Sequence, residues 1–297
     1  MSDPVITEEP LQFGEGGRLF GILTLPRMPT RNAQDLPVFV FLNAGFLHRV
    51  GPHRLHVCLA RDLSRMGFSS LRVDLAGRGD SPPHPGLTYP QSVAVDFREI
   101  SNVLESRLGR LPLVLAGLCS GAHNAVRLTP EEPRVVGMVL LDPICFPDED
   151  FRVRAVIQKY TNPALYIDWL KHRLQALTIL CGGKREENDS VDELTPDRNL
   201  IVEQVRAAWG VPNREQLQAA FQSICEREGR VMSVFTRSAL QYYNQTGQLG
   251  RVLGVEGYQK FCTEMFWPQA DHTFTLEPHR RRLIEIVKTW AAGYICP

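Results

Sequence analysis

The chain predicts an α/β fold with a mostly parallel central sheet flanked by helices, and three observations predict it. Short continuous apolar runs recur at 38–42, 113–118 and 135–141, as expected of strands buried on both faces. Between them lie segments with apolar residues at helical spacing: Leu55, Leu59, Leu63 and Met66, then Val95, Ile100, Val103 and Leu104. Each run also empties into a loop rich in small or polar residues, at the carboxyl edge where open α/β sheets place their sites. Strand and helix alternating in this way give parallel neighbours joined by right-handed crossovers.

In chain order, 11–13 and 18–25 read as a hairpin closed by Gly14-Glu15-Gly16-Gly17. A polar, proline-bearing loop spans 26–37, and the strand 38–42 ends in Asn43-Ala44-Gly45-Phe46. A helix over 54–66 is stopped by Gly67. The strand 70–75 leaves through Ala76-Gly77-Arg78-Gly79-Asp80-Ser81, and a helix covers 92–108. The strand 135–141 is followed by Asp142-Pro143. From 146 to 229 the rhythm breaks into a polar, helix-like stretch longer than an ordinary crossover. That stretch is expected to be a helical cap, with Trp169, Leu170, Leu174 and Trp209 as anchors and 182–194 as a charged loop. The core is then 1–145 and 230–297, with strands at 231–235 and 261–267 and a closing helix at 277–292.

Composition excludes several function classes. Lys+Arg and Asp+Glu balance at 33 each, so no overall field favours nucleic acid or a membrane surface. No apolar run approaches the ~20 residues of a membrane span, and Met1-Ser2-Asp3-Pro4 lacks the basic, apolar start of a signal peptide. Seven cysteines, odd in number and without framework spacing, argue for free thiols in a reducing compartment, and the expected location is the cytoplasm. None shows Cys-x-x-Cys or Cys/His ligand spacing, so neither a metal nor a cofactor is expected.

The chemistry is concentrated in Pro112-Leu113-Val114-Leu115-Ala116-Gly117-Leu118-Cys119-Ser120-Gly121-Ala122. An apolar strand running into Gly-x-Cys-x-Gly and then a helix describes a nucleophile elbow, with Cys119 at its apex where serine is commoner. Glycine on both sides suits a turn too crowded for a Cβ. The helix N-terminus beyond the turn favours an anion on the central residue. The competing reading is a buried structural cysteine framed by chance.

Four motifs in order, Asn43 to Phe46, Asp74 to Ser81, Gly117 to Gly121 and Ala270-Asp271-His272-Thr273-Phe274, make the chain resemble the α/β-hydrolase superfamily over about 11–292. More narrowly, His48-Arg49-Val50-Gly51-Pro52-His53-Arg54 with Gly117 to Ala122 resembles a bacterial group that includes exosortase-associated hydrolases and others encoded near biosynthetic clusters. The resemblance implies His272 as general base, against the alternative of a surface-loop histidine. It also implies an oxyanion site made by the backbone N–H groups of Phe46 and Ser120. The acid of the triad is less direct. The superfamily's usual aspartate position carries Ser238, which leaves Asp142 at the end of the preceding strand, or a Cys–His dyad with no acid. Asp142 also has a structural reading as a strand-end residue bonding nearby backbone. Asp271, adjacent to His272 in sequence, ranks below it.

His48 and Arg49 are candidates for holding a phosphate or carboxylate of the substrate, against a solvated helix start. Asp74, Arg78 and Asp80 are expected to fix their turn. The leading function is a Cys-dependent thioesterase or acyltransferase on a small-molecule acyl substrate, with an acyl carrier protein or CoA as donor. A carboxylesterase or lactonase is the alternative within that class. A catalytically silent hydrolase fold used for binding is the alternative of another class, its support being the absence of an aspartate at Ser238.

Overall fold

The structure, a computed structural model, describes residues 6–27, 36–161 and 206–295. β1 (Ile6–Phe13) and β2 (Leu19–Pro26) form an antiparallel hairpin, and β2 runs antiparallel to β4 (Ser70–Asp74). β3 (Val38–Leu42), β5 (Leu113–Leu118), β6 (Val135–Leu141), β7 (Arg230–Thr236) and β8 (Cys262–Trp267) continue the sheet in parallel with β4. The order is β1-β2-β4-β3-β5-β6-β7-β8.

Strand periodicity divides the core into two faces. Phe39 and Phe41 point one way, to Leu59, Leu63 and Trp290; Val38, Val40 and Leu42 point the other, to Ile100, Val126 and Phe221. Phe39 is fully buried, which is worth about 2 kcal/mol for such a side chain. The first face is covered by α1 (Leu55–Arg65) and, at the far end of the chain, Glu277–Ala292. The second is covered by α2 (Tyr89–Leu108) and α3 (Ser120–Leu128).

Most element ends shift by a residue from the sequence expectation, and three differences have a clear local cause. β1 begins at Ile6 rather than at 11, because Glu8 is held by Arg61 (2.6 Å) and Arg72 (2.7 Å) and not by an apolar alternation. Its Pro10 is tolerated because β1 is an edge strand. α2 starts at Tyr89, not 92: the Thr88 N–H donates to Gln91 Oε1 at 2.9 Å, and Pro90 sits in the first turn. Phe261 belongs to a short helix, Tyr258–Phe261, and leaves β8 to begin at Cys262.

Within 146–229, α4 (Phe151–Thr161) follows β6, and α5 (Arg214–Glu226) precedes β7. α5 buries Leu217, Ala220, Phe221 and Ile224 in the core beside α3 and the sheet. Trp169, Leu170, Leu174 and the loop 182–194 lie outside the described residues. Among the described residues, no helix is long and apolar enough to cross a membrane.

Candidate active site

The turn after β5 is built as its glycines require. A Cβ on Gly117 would lie 2.3 Å from the Gly121 carbonyl carbon, and one on Gly121 would lie 2.7 Å from the Leu42 carbonyl oxygen. Only glycine permits that approach. Cys119 stands between them at φ 56°, a conformation strained for a side-chain-bearing residue. The Cys119 N–H donates to Leu141 O at 2.9 Å, and the Cys119 carbonyl accepts from His123 N–H at 3.0 Å. The thiol is therefore held at the N-terminus of α3, partly exposed.

Asp142, the residue after β6, is also at positive φ (45°) and is 3% exposed. Its carboxylate is fully engaged. Oδ1 accepts from Thr236 N–H at 2.5 Å, and Oδ2 accepts from Thr236 Oγ1–H at 2.6 Å and from His272 Nδ1–H at 2.7 Å. The other ring nitrogen is thereby left free of Asp142, and His272 and Cys119 line the same cavity. The Asp142 bond, then the nearby Cys119 thiol, raise the His272 imidazolium to a pKa of about 10 against the opposing effect of burial. Ser238, at the usual acid position, donates its backbone N–H to Thr236 Oγ1 at 3.3 Å. Asp271 faces its own loop: burial alone would raise its pKa, but bonds from Thr275 and Thr273 hold it near 2.

Across the turn, the Gly45 N–H donates to Ser120 Oγ at 2.7 Å, fixing the loop after β3 against the elbow. Among the described residues, neither the Phe46 nor the Ser120 N–H donates to an acceptor. The Phe46 ring meets Trp209 edge-on at 5.0 Å, and the Arg78 guanidinium lies 4.3 Å from the Phe46 ring and 4.6 Å from Tyr89. Arg78 thus ties the loop after β3 to Trp209, whose ring lies 5.5 Å from the same guanidinium.

His48 and Arg49 are positioned elsewhere. Arg49 Nη1 bonds both Asp74 and Asp80, and the Arg49 N–H donates to Asp74 Oδ1 at 2.6 Å. Asp74 also accepts from Asn43 Nδ2 (3.0 Å) and the Asp80 N–H (3.1 Å), while His48 Nε2 lies 3.2 Å from Asp80 Oδ2. His48, Asp74 and Asp80 would be close enough to share a metal ion, but the guanidinium of Arg49 supplies the cation there. Neither His48 nor Arg49 is among the residues lining the cavity at Cys119.

That cavity, about 630 Å³, is walled by Cys119, His272 and Asp142 together with His123, Cys145, Tyr242, Ser238, Ile144, Phe146, Val211 and Arg206. Burial, then the nearby His272 charge, lower the His123 pKa to about 4, so it is neutral at physiological pH. Burial pushes the Cys145 thiol up to about 12, which keeps it protonated beside the site. Sequence reasoning missed Thr236, His123 and Tyr242. The position of His123, four residues past the nucleophile on one helix face, was the available signal.

The family described as serine aminopeptidase, S33 matches residues 45–224, more than half of the chain. The chain belongs to this family. It carries Cys119 at the elbow of a serine-named group. Among solved structures it is similar to the esterase Est1E from Butyrivibrio proteoclasticus, with a TM-score of 0.55 and 15% identity over 98% of this chain and 99% of that one. It is also similar to an esterase of Pyrococcus furiosus, with a TM-score of 0.53 and 12% identity over 96% and 90% of the two chains. The proline iminopeptidase of Mycobacterium smegmatis gives a TM-score of 0.51 and 16% identity over 97% and 98%. These likenesses establish the α/β-hydrolase fold. A comparison with curated proteins finds no match.

Proposed function

We propose that the protein hydrolyses ester bonds through a covalent acyl-Cys119 intermediate. The observation that supports this best is the Asp142–His272 hydrogen bond on the wall of the cavity that Cys119 also lines. Cys119 Sγ, its proton held on His272, attacks the acyl carbonyl carbon. The oxygen that becomes negative is met by the Phe46 and Ser120 N–H groups. The C–O bond to the leaving alcohol breaks as His272 returns the proton to it. Water, deprotonated by His272, then attacks the thioester carbonyl, and Cys119 leaves as the thiolate. Asp142, oriented by Thr236, holds the imidazole in the required tautomer. Phe146 and Val211, from the stretch 146–229, wall the cavity around the acyl group.

One observation favours a second reading, a thioesterase or acyltransferase fed by carrier- or CoA-bound acyl groups. The nucleophile is a thiol, so the intermediate is itself a thioester that an amine, alcohol or thiol can capture as well as water. Intact-protein mass spectrometry after brief exposure to matched aryl esters and acyl thioesters tests both. A single acyl adduct absent from Cys119→Ala supports covalent transfer. The donor that loads faster, and the acceptor that discharges the adduct, decide between the readings. No adduct and no turnover with either series overturns both in favour of a binding protein.

A further inference from the structure

A second chamber of about 360 Å³ adjoins the Cys119 cavity, and the two share Ile144, Phe146, Val211 and Arg206 as wall residues. Their common floor is α3. Cys119 and His123 face the first chamber, and Arg127 faces the second, at successive steps of four residues along one side of the helix. The path from thiol to Arg127 is thus about 12 Å of helix, bordered at its middle by apolar Ile144, Phe146 and Val211 and by a neutral imidazole.

Arg127 ends this path without a bonded counter-ion. Its Nη1 is buried with no hydrogen-bond partner. Glu131 and Tyr89 are felt electrostatically, yet neither bonds it, and burial makes the charge costly. Gly210 at φ 63° lies on this guanidinium; a Cβ there would stand 2.2 Å from Nη1. No acidic side chain is among the described residues lining the chamber. A half-buried guanidinium whose Nη1 is buried without a partner, at the end of a largely apolar channel, is explained by a ligand that completes it.

We propose that the second chamber is a specificity subsite for a carboxylate at the far end of the acyl chain, bound by Arg127. The substrate class is then an ester or thioester of a medium-length dicarboxylic acid, reacting at one end while the other is held. A carboxylate matches the planar guanidinium with two parallel N–H···O bonds. The proposal rests on acyl transfer at Cys119 for its biological meaning, but its binding test does not.

The test uses Cys119→Ala protein and two non-reacting esters, monomethyl decanedioate and methyl decanoate, by isothermal titration calorimetry. The expected result is at least ten-fold tighter binding of the carboxylate-bearing ester. Arg127→Gln in the same background should remove the difference, and Arg127→Lys should restore part of it. Thermal melts of both variants confirm that they are folded. Equal affinities, or no measurable binding of monomethyl decanedioate, would overturn the subsite. In the Cys119 protein, the matching thioesters distinguish the two ideas. Acylation without preference for the carboxylate-bearing chain leaves the proposed reaction standing and removes the subsite. A binding preference without acylation does the reverse.

Discussion

Two histidine–aspartate pairs in this molecule use the same residue types for opposite ends. At Asp142, two donors from Thr236 and one from His272 occupy the carboxylate, and the imidazole keeps a second nitrogen for a thiol that faces a cavity. At Asp74, the carboxylate is closed by Asn43, the Arg49 backbone and guanidinium and the Asp80 backbone, and His48 faces the outer carboxylate of Asp80. The difference lies in the partners. A histidine polarised on one side and open on the other can move a proton, whereas His48 stands beside two carboxylates already tied to one guanidinium. Backbone conformation marks the same division, since both Cys119 and Asp142 sit at positive φ.

The comparison breaks most sharply at Cys119. Cys119→Ala is expected to lower turnover by at least about 10³-fold with no change in melting behaviour beyond that of a partly exposed thiol. Retained turnover would mean that the polarised pair does no chemistry. Asp142→Asn comes next, with turnover down by about 10²- to 10⁴-fold. It also removes the first cause of the raised His272 pKa. In the parent protein the imidazolium persists to about pH 10, so the stability tied to this proton is full below about pH 6.5 and lost as pH rises through 10. In the variant, NMR titration should find deprotonation at lower pH. An unchanged titration would remove Asp142 from its assigned role and leave a dyad.

At the closed pair the order of effects inverts. Asp74→Ala is expected to cost about 3 kcal/mol in denaturant unfolding, because it leaves Arg49 and Asn43 without their buried acceptor, while turnover per folded molecule is little changed. Asp80→Ala, at the exposed end of the network, should cost less than about 1 kcal/mol. A large loss of turnover in either variant, with stability intact, would restore Arg49 to substrate binding. The smallest effect is expected from Ser238→Ala, with turnover within roughly two-fold of the parent. A larger loss would reopen the usual acid position.

Periodicity and glycine placement made most of the core legible. The continuous apolar runs at β3, β5 and β6 can be satisfied only between two helical layers, and Gly117 and Gly121 leave one local geometry for Cys119. The edges were less legible. β1 is anchored by ion pairs from Arg61 and Arg72, residues distant in sequence. The start of α2 depends on the reciprocal cap of Thr88 and Gln91, which apolar spacing does not reveal.

The site divides along the same line. Cys119 could be read from its own neighbours, because an elbow is a local structure. His272 could be placed only by the order of motifs, and Asp142 remained one of several possibilities. What chose Asp142 for His272 was the parallel pairing of β6 with β7, which puts Asp142 and Thr236 at adjacent strand ends and the His272 loop above them. The removal of Arg49 from the cavity was likewise decided by Asp74, reached across the sheet edge from β4. Sequence by itself determined the elements whose causes lie within a few residues: apolar strands, amphipathic helices and the glycine-framed turn. Tertiary structure alone decided which charges meet, because a carboxylate's partners come from whichever strand ends and loops the sheet order brings within hydrogen-bonding distance.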